Sequence, residues 1–148
     1  MRTLAVDLGT RRVGLALSDE GGRFATPYDV VDVTSREMAA TKVLDVIGKE
    51  DVQRIAIGLP LNMEDGSIGP AARQTIAWGR DVAQRSAKPV VFVDERLSSF
   101  AAEQDLADRK RAGERITRKD RKHRLDALAA AGFLQAFLDG KLPPIEVG

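Results

Sequence analysis

A single α/β domain, its sheet antiparallel where the chain begins and parallel where it ends, is predicted by three features of the sequence. Leu4, Val6 and Leu8 alternate with Thr3, Ala5 and Asp7, and a second apolar run, Val13 to Leu17, follows after only Gly9-Thr10-Arg11-Arg12. That spacing reads as two strands joined by a tight turn. Further on, the short and mostly apolar runs Gln53 to Ile57 and Val90 to Val93 read as strands covered on both faces. The segments before and between them carry apolar residues at helical spacing, so strands and helices alternate as a parallel sheet requires.

In chain order, the first strand and its hairpin partner are expected to use Gly9 and Gly14 for backbone conformations that other residues resist. Asp19-Glu20-Gly21-Gly22 marks a turn, and Arg23 to Val33 reads as a third strand interrupted near Pro27. Proline has no ladder donor, which assigns this strand to a sheet edge. Thr34 with Glu37 forms a capping-box pattern, and Met38, Ala39, Val43, Val46 and Ile47 give a helix over about 35–49.

After the fourth strand, the turn-rich run Gly58 to Ser67 leads to a helix opened by Pro70 and ending near Arg85. A loop feeding a helix start can offer amides to an anion, so phosphate contact near Gly66 to Gly69 is one reading and a plain connection the other. Trp78 and Val82 are expected in the core or on a dimer surface. The fifth strand ends in Asp94-Glu95-Arg96, and Ser98 or Ser99 is expected to cap a helix carrying Phe100, Ala101 and Leu106. The last helix is expected from Thr117 or Asp120 to about Asp139, packed through Leu125, Leu128, Ala129, Gly132 and Ala136. Asp126 then borders the face turned to the sheet, among small neighbours that let the backbone approach closely.

The 148 residues, 43% of them hydrophobic, can bury a full core in one domain, residues 1–148. With no cysteine and one histidine, any metal must be held by oxygen ligands or by His123, which favours magnesium or manganese. His123 itself is expected to face solvent or phosphate. The chain enters a strand at once and has no run of eighteen apolar residues, so a cytoplasmic location is expected, with no membrane partner.

Charge is unevenly distributed. Residues 109 to 124 hold nine Lys or Arg against Glu114 and Asp120, a local +7 that leaves −6 for the rest of a chain whose total is +1. A basic stripe on an otherwise acidic protein is the footprint of a polyanion partner, or else a solvated linker between helices. Five Phe, one Trp and one Tyr are too few to predict a platform for stacking single-stranded bases.

Asp7 is the informative residue of the first strand, because a carboxylate among apolar neighbours must be compensated by hydrogen bonds or a cation. A strand-end Asp bonded to its own turn is the alternative. Glu95 at the end of the last strand and Asp126 on the final helix stand at comparable places. If the three converge they repel unless cations neutralise them, and a pair of divalent ions roughly 3.5 to 4 Å apart can clamp an in-line displacement at phosphorus.

Asp7-Leu8-Gly9-Thr10-Arg11-Arg12-Val13-Gly14, Gly58-Leu59-Pro60-Leu61-Asn62-Met63 with Gly66-Ser67, Asp94-Glu95-Arg96-Leu97-Ser98-Ser99, and Asp126-Ala127-Leu128-Ala129-Ala130 resemble, in order and spacing, the YqgF (RuvX) family. The resemblance spans nearly the whole chain. It implies an RNase H-like fold, a five-stranded mixed sheet of three antiparallel and two parallel strands with helices on both faces. It further implies relatedness to RuvC-type Holliday junction resolvases and a nuclease role at the 5′ end of precursor 16S ribosomal RNA. By the same resemblance Asp7, Glu95 and Asp126 are the catalytic, metal-binding acids for Mg2+ or Mn2+, two ions in all. Arg12 and Arg96 match basic positions beside them. With Arg11, Arg118, Lys119 and Lys122 they form the expected contacts to structured RNA or branched DNA.

Arg11 stands where the family commonly has Lys, Ser98-Ser99 where Thr-Thr is common, and Tyr28 where Leu is usual; none of these removes a carboxylate. Asp94, one residue before Glu95, should point to the opposite strand face and is not counted as a ligand. Two symmetric cuts in a junction would need two sites, which a homodimer supplies. Two other functions fit parts of the pattern. Asp-Leu-Gly-Thr also resembles the phosphate loop of actin-like ATPases and sugar kinases, which fold as two such domains where this chain has one. A nucleic-acid-binding module without catalysis would use the basic segment alone.

Overall fold

A computed structural model describes residues 1–96 and 118–147, with residues 118–124 described by backbone alone. The elements are β1 (Thr3–Leu8), β2 (Arg12–Ser18), β3 (Ala25–Asp32), α1 (Arg36–Lys49), β4 (Arg54–Leu59), α2 (Pro70–Ser86), β5 (Val90–Asp94) and α3 (Arg118–Leu138). The sheet order is β3-β2-β1-β4-β5. β1 and β2 pair antiparallel with Leu8 opposite Val13, and β3 continues antiparallel at the outer edge, while β1–β4 and β4–β5 are parallel. The expected mixed sheet of three antiparallel and two parallel strands is therefore present. Pro27 lies in the edge strand, at a register shift between Leu15 and Ala16, where its missing donor costs no ladder bond.

The two faces of the sheet differ in side-chain size. Leu4, Val6, Leu15, Ile55, Ile57 and Phe92 point to one face and form the main core with α1 and α2, where Trp78 is buried and donates its indole N–H to the Arg36 carbonyl at 2.9 Å. Alternation sends Ala5, Ala16 and Val93 to the other face, against Ala130, Phe133 and Leu134 of α3. Gly14 and Gly58 share that face with Ala56. A floor of alanine and glycine brings α3 close to the strands, and the helix lies across β1, β2 and β3.

Three expectations are corrected. The first helix is capped by Ser35, whose hydroxyl accepts from the Met38 amide at 3.0 Å, so the cap falls one residue beyond Thr34. On α3 the buried residues are Ala127, Ala129, Ala130, Ala131, Phe133 and Leu134, whereas Leu125, Leu128 and Ala136 are half-buried and Gly132 is exposed. Alanines meet the floor near Asp126, Phe133 and Leu134 fill the core further along the helix, and Leu125 and Leu128 flank it. Neither Gly9 nor Gly14 adopts positive φ; each is required because another backbone passes close by. The helix expected after Ser98 or Ser99 lies outside the described residues.

Beyond α3, the Ile145 amide donates to the Phe92 carbonyl at 2.7 Å, and Ile145 and Val147 pack on the main core. This segment covers part of the free edge of β5. Among the described residues no helix is long and apolar enough to cross a membrane.

Candidate nuclease centre

Parallel strands β1, β4 and β5 end on the same side, and open α/β sheets bind ligands at the carboxyl ends of their strands. Asp7 is the penultimate residue of β1 and Glu95 follows β5 directly. Both fall on the face that α3 covers, as alternation from Ala5 and Val93 requires. Their carboxyl groups hydrogen-bond each other. Such a bond needs a proton. Glu95 holds it: burial first, then the charge of Asp7 and the shared hydrogen bond, push its pKa up from 4.5 to about 9. Asp7 is also raised, by burial and by the nearby charge of Asp126, with the bond from Glu95 acting in the opposite direction.

Two glycines make the approach possible. Gly14 is opposite Asp7 in the hairpin, and a β-carbon there would overlap the backbone carbonyl of Asp126. A β-carbon on Gly58 would come 2.6 Å from a Glu95 carboxylate oxygen and 2.9 Å from the Phe133 ring. Gly14→Ala is expected to push α3 off the sheet and cost about 2 kcal/mol, the scale of overpacking a filled site. Urea unfolding measures it, and an unchanged midpoint would contradict the close approach.

Asp126 lies near Asp7, but its carboxylate is bound elsewhere. Its Oδ2 accepts from Arg12 Nε at 2.6 Å, with both side chains partly exposed. Accordingly, no three acids among the described residues are grouped closely enough to hold one metal ion. The residues nonetheless fit a divalent cation: two half-buried carboxyl groups that share a proton are hard oxygen donors from which a cation can displace that proton.

Asp94 faces away from the pair, as expected, and takes Arg96 in a forked contact, with Nε to Oδ2 at 2.9 Å and Nη2 to Oδ2 at 2.8 Å. The Arg96 guanidinium also lies against Gly66 and reaches the Asn62 carbonyl at 3.5 Å. It thereby links the loop after β4 to the residue next to Glu95. In that loop the Gly66 amide donates to the Asn62 carbonyl and the Ser67 amide to Asp65. These two amides are committed within the loop, which braces the connection to α2.

Arg11 is exposed at the tip of the β1–β2 hairpin, on the same side of the sheet. The side chains of Arg118, Lys119, Lys122 and His123 lie outside the described residues, as does Phe100. Tyr28 is half-buried, with its hydroxyl donating to Glu50, at the end of α1, at 3.2 Å. Missing from the sequence reading were the Arg12–Asp126 pair, the Asp94–Arg96 fork and the close-approach roles of Gly14 and Gly58. For the glycines a signal did exist, since both sit in otherwise apolar strands on the small-residue face.

The fold is RNase H-like, of the RuvC type. Thermus thermophilus RuvC superposes with a TM-score of 0.60 at 17% identity, over 98% of this chain and all of that one. A fowlpox virus resolvase bound to Holliday junction DNA gives 0.55 at 10% identity, covering 95% and 98%. More narrowly, the chain belongs to the RuvX family, described as Holliday junction resolvase, which it matches over residues 1–140. Among its relatives, a protein of Acidiphilium cryptum is 42% identical over 93% of this chain and 84% of its own length. One of Mesorhizobium japonicum is 44% identical over 93% and 80%. Both bear the name "Putative pre-16S rRNA nuclease".

Proposed function

We propose that this protein is a divalent-metal-dependent nuclease that hydrolyses phosphodiester bonds and acts on the 5′ end of precursor 16S ribosomal RNA. The Asp7–Glu95 pair carries the proposal, because a proton shared at the carboxyl ends of parallel strands marks donors suited to a cation. Asp7, Glu95 and Asp126 would hold Mg2+ or Mn2+, and two such ions supply an activated water and stabilise the leaving oxygen. The chain's own part is to release the Glu95 proton as cation binds, to keep the acids fixed on a rigid floor, and to meet phosphates with cationic side chains. Arg11 and Arg12, with Arg118, Lys119 and Lys122 of the basic segment, serve that last role, and Arg96 acts beside them. A ribosomal substrate implies a cytoplasmic site of action.

Branched DNA is the second reading, favoured by the likeness in fold to T. thermophilus RuvC solved with a Holliday junction substrate, TM-score 0.58 at 17% identity. For that reaction two copies of the chain would be needed to make paired cuts. The deciding experiment offers the protein a labelled precursor 16S 5′-end RNA and a four-way DNA junction, each with Mn2+, Mg2+ or chelator. Metal-dependent cutting of the RNA in preference to the junction is expected. The reverse preference selects the resolvase reading, and tight binding with no cutting of either substrate overturns the nuclease. If four basic residues meet duplex phosphates, affinity should fall by roughly 3.6 decades per decade of salt, and a flat response would exclude the basic segment as the contact.

A further inference from the structure

Arg12 and Asp126 are 114 positions apart in sequence, yet their side chains meet at 2.6 Å from Nε to Oδ2. The pairing has a consequence for the third carboxylate. Asp126 is near enough to raise the pKa of Asp7 by its charge, but its side chain is turned to Arg12, and no three acids are grouped among the described residues. The Asp126 backbone carbonyl is already against Gly14, so the helix cannot bring Asp126 closer by approaching the sheet. Rotation of the side chain needs no such approach.

Both partners of the pair are reachable from solvent, with side-chain exposures of 32% for Arg12 and 26% for Asp126. A guanidinium matches the geometry of a phosphate as well as that of a carboxylate. A phosphodiester arriving at Arg12 would therefore exchange one anion for another, leaving the guanidinium paired and the Asp126 carboxylate in need of a cation.

We propose that Arg12 is a positioning residue that holds Asp126 at the rim until a nucleic-acid phosphate takes its place, so that the third carboxylate joins Asp7 and Glu95 only in the presence of substrate. The proposal rests on the nuclease reading above and adds an order of events to it. The free protein offers cation a two-carboxylate site, and the complex offers a three-carboxylate site. By linkage, nucleic acid then tightens metal binding and metal tightens nucleic-acid binding by the same factor.

The test is calorimetric titration of the full chain with Mn2+, read as affinity and independent of cleavage. Removing the positive charge of Arg12 would tighten Mn2+ in any model, so the informative quantity is the cost of Asp126→Asn in two backgrounds. In the parent, Asp126→Asn is expected to change Mn2+ affinity less than twofold. In Arg12→Gln it is expected to weaken affinity about tenfold, and the same tenfold cost should appear in the parent once a phosphorothioate, cleavage-resistant four-way DNA junction is bound. An equal cost of Asp126→Asn in all three settings overturns the proposal. If Arg12→Gln does not fold, the comparison of parent with and without junction decides alone. Asp7→Asn is the separate control. Unchanged Mn2+ binding in that variant would sink the metal centre itself, whereas lost binding there with equal Asp126 costs elsewhere would sink only the role of Arg12.

Discussion

Asp7→Asn should cut either substrate about a thousandfold more slowly than the parent in Mn2+, a loss of ~4 kcal/mol of transition-state stabilisation. The residue is near the end of the central strand, its carboxylate takes the hydrogen bond from Glu95, and it feels the charge of Asp126, so it is coupled to both of the other acids. An amide keeps the shape of the side chain and can still bond Glu95, but it removes the charge that would draw a cation. Folding should therefore survive, and the loss should appear in kcat more than in KM. Single-turnover cleavage with matched circular dichroism checks this. A variant that folds and cuts as fast as the parent would remove Asp7 from the chemistry.

Glu95→Gln should abolish cleavage and at the same time stabilise the protein when divalent cations are chelated. The sign follows from the raised pKa of Glu95, about 9 in the folded protein against an ordinary 4.5. Below pH 4.5 the group is protonated in both folded and unfolded chains and contributes no pH dependence. Between about 4.5 and 9 the folded chain keeps a proton that the unfolded chain releases, so stability falls as pH rises, by up to about 1.4 kcal/mol per unit, and levels off above 9. Parent in chelator should accordingly melt at a lower temperature at pH 8.5 than at pH 5.5. Glutamine, neutral at every pH, should flatten this contribution and recover most of what the parent has lost by pH 8, up to about 5 kcal/mol at that slope. Mn2+ should restore the parent at pH 8.5, since cation replaces the proton, and should leave Glu95→Gln nearly unmoved. A parent whose stability is level across this range would show that Glu95 ionises freely.

Much of this arrangement was legible in the sequence because strands advertise themselves by period. Alternation placed Leu4 and Val6 opposite to Ala5 and Asp7, and the same count of two put Asp94 away from Glu95, as the Asp94–Arg96 fork bears out. Pro27 marked its strand as an edge for want of a donor. Helix faces were harder to read. On α3 the leucines drew attention, yet depth there is set by the size of the residues beneath, which belong to strands far away in sequence. The cap at Ser35 was displaced by one position because two adjacent hydroxyl residues each offer an acceptor at a workable spacing. Least legible was the partner of Asp126. A long-range ion pair leaves no periodic trace, and an acid matched to a metal site does not announce that an arginine 114 positions earlier holds it.

The alanine and glycine floor beneath α3 also bears on which changes the protein can tolerate over generations. On the opposite face, leucine, isoleucine and valine can trade places so long as total volume is kept. Under α3 there is no volume to trade: Ala5, Gly14, Ala16, Ala56 and Gly58 are already at or near the smallest side chain available. A survey of all single substitutions should therefore find these five positions as intolerant as the acids, although none carries a group that reacts. The proposed centre would thus be guarded by residues whose contribution is the space they leave empty.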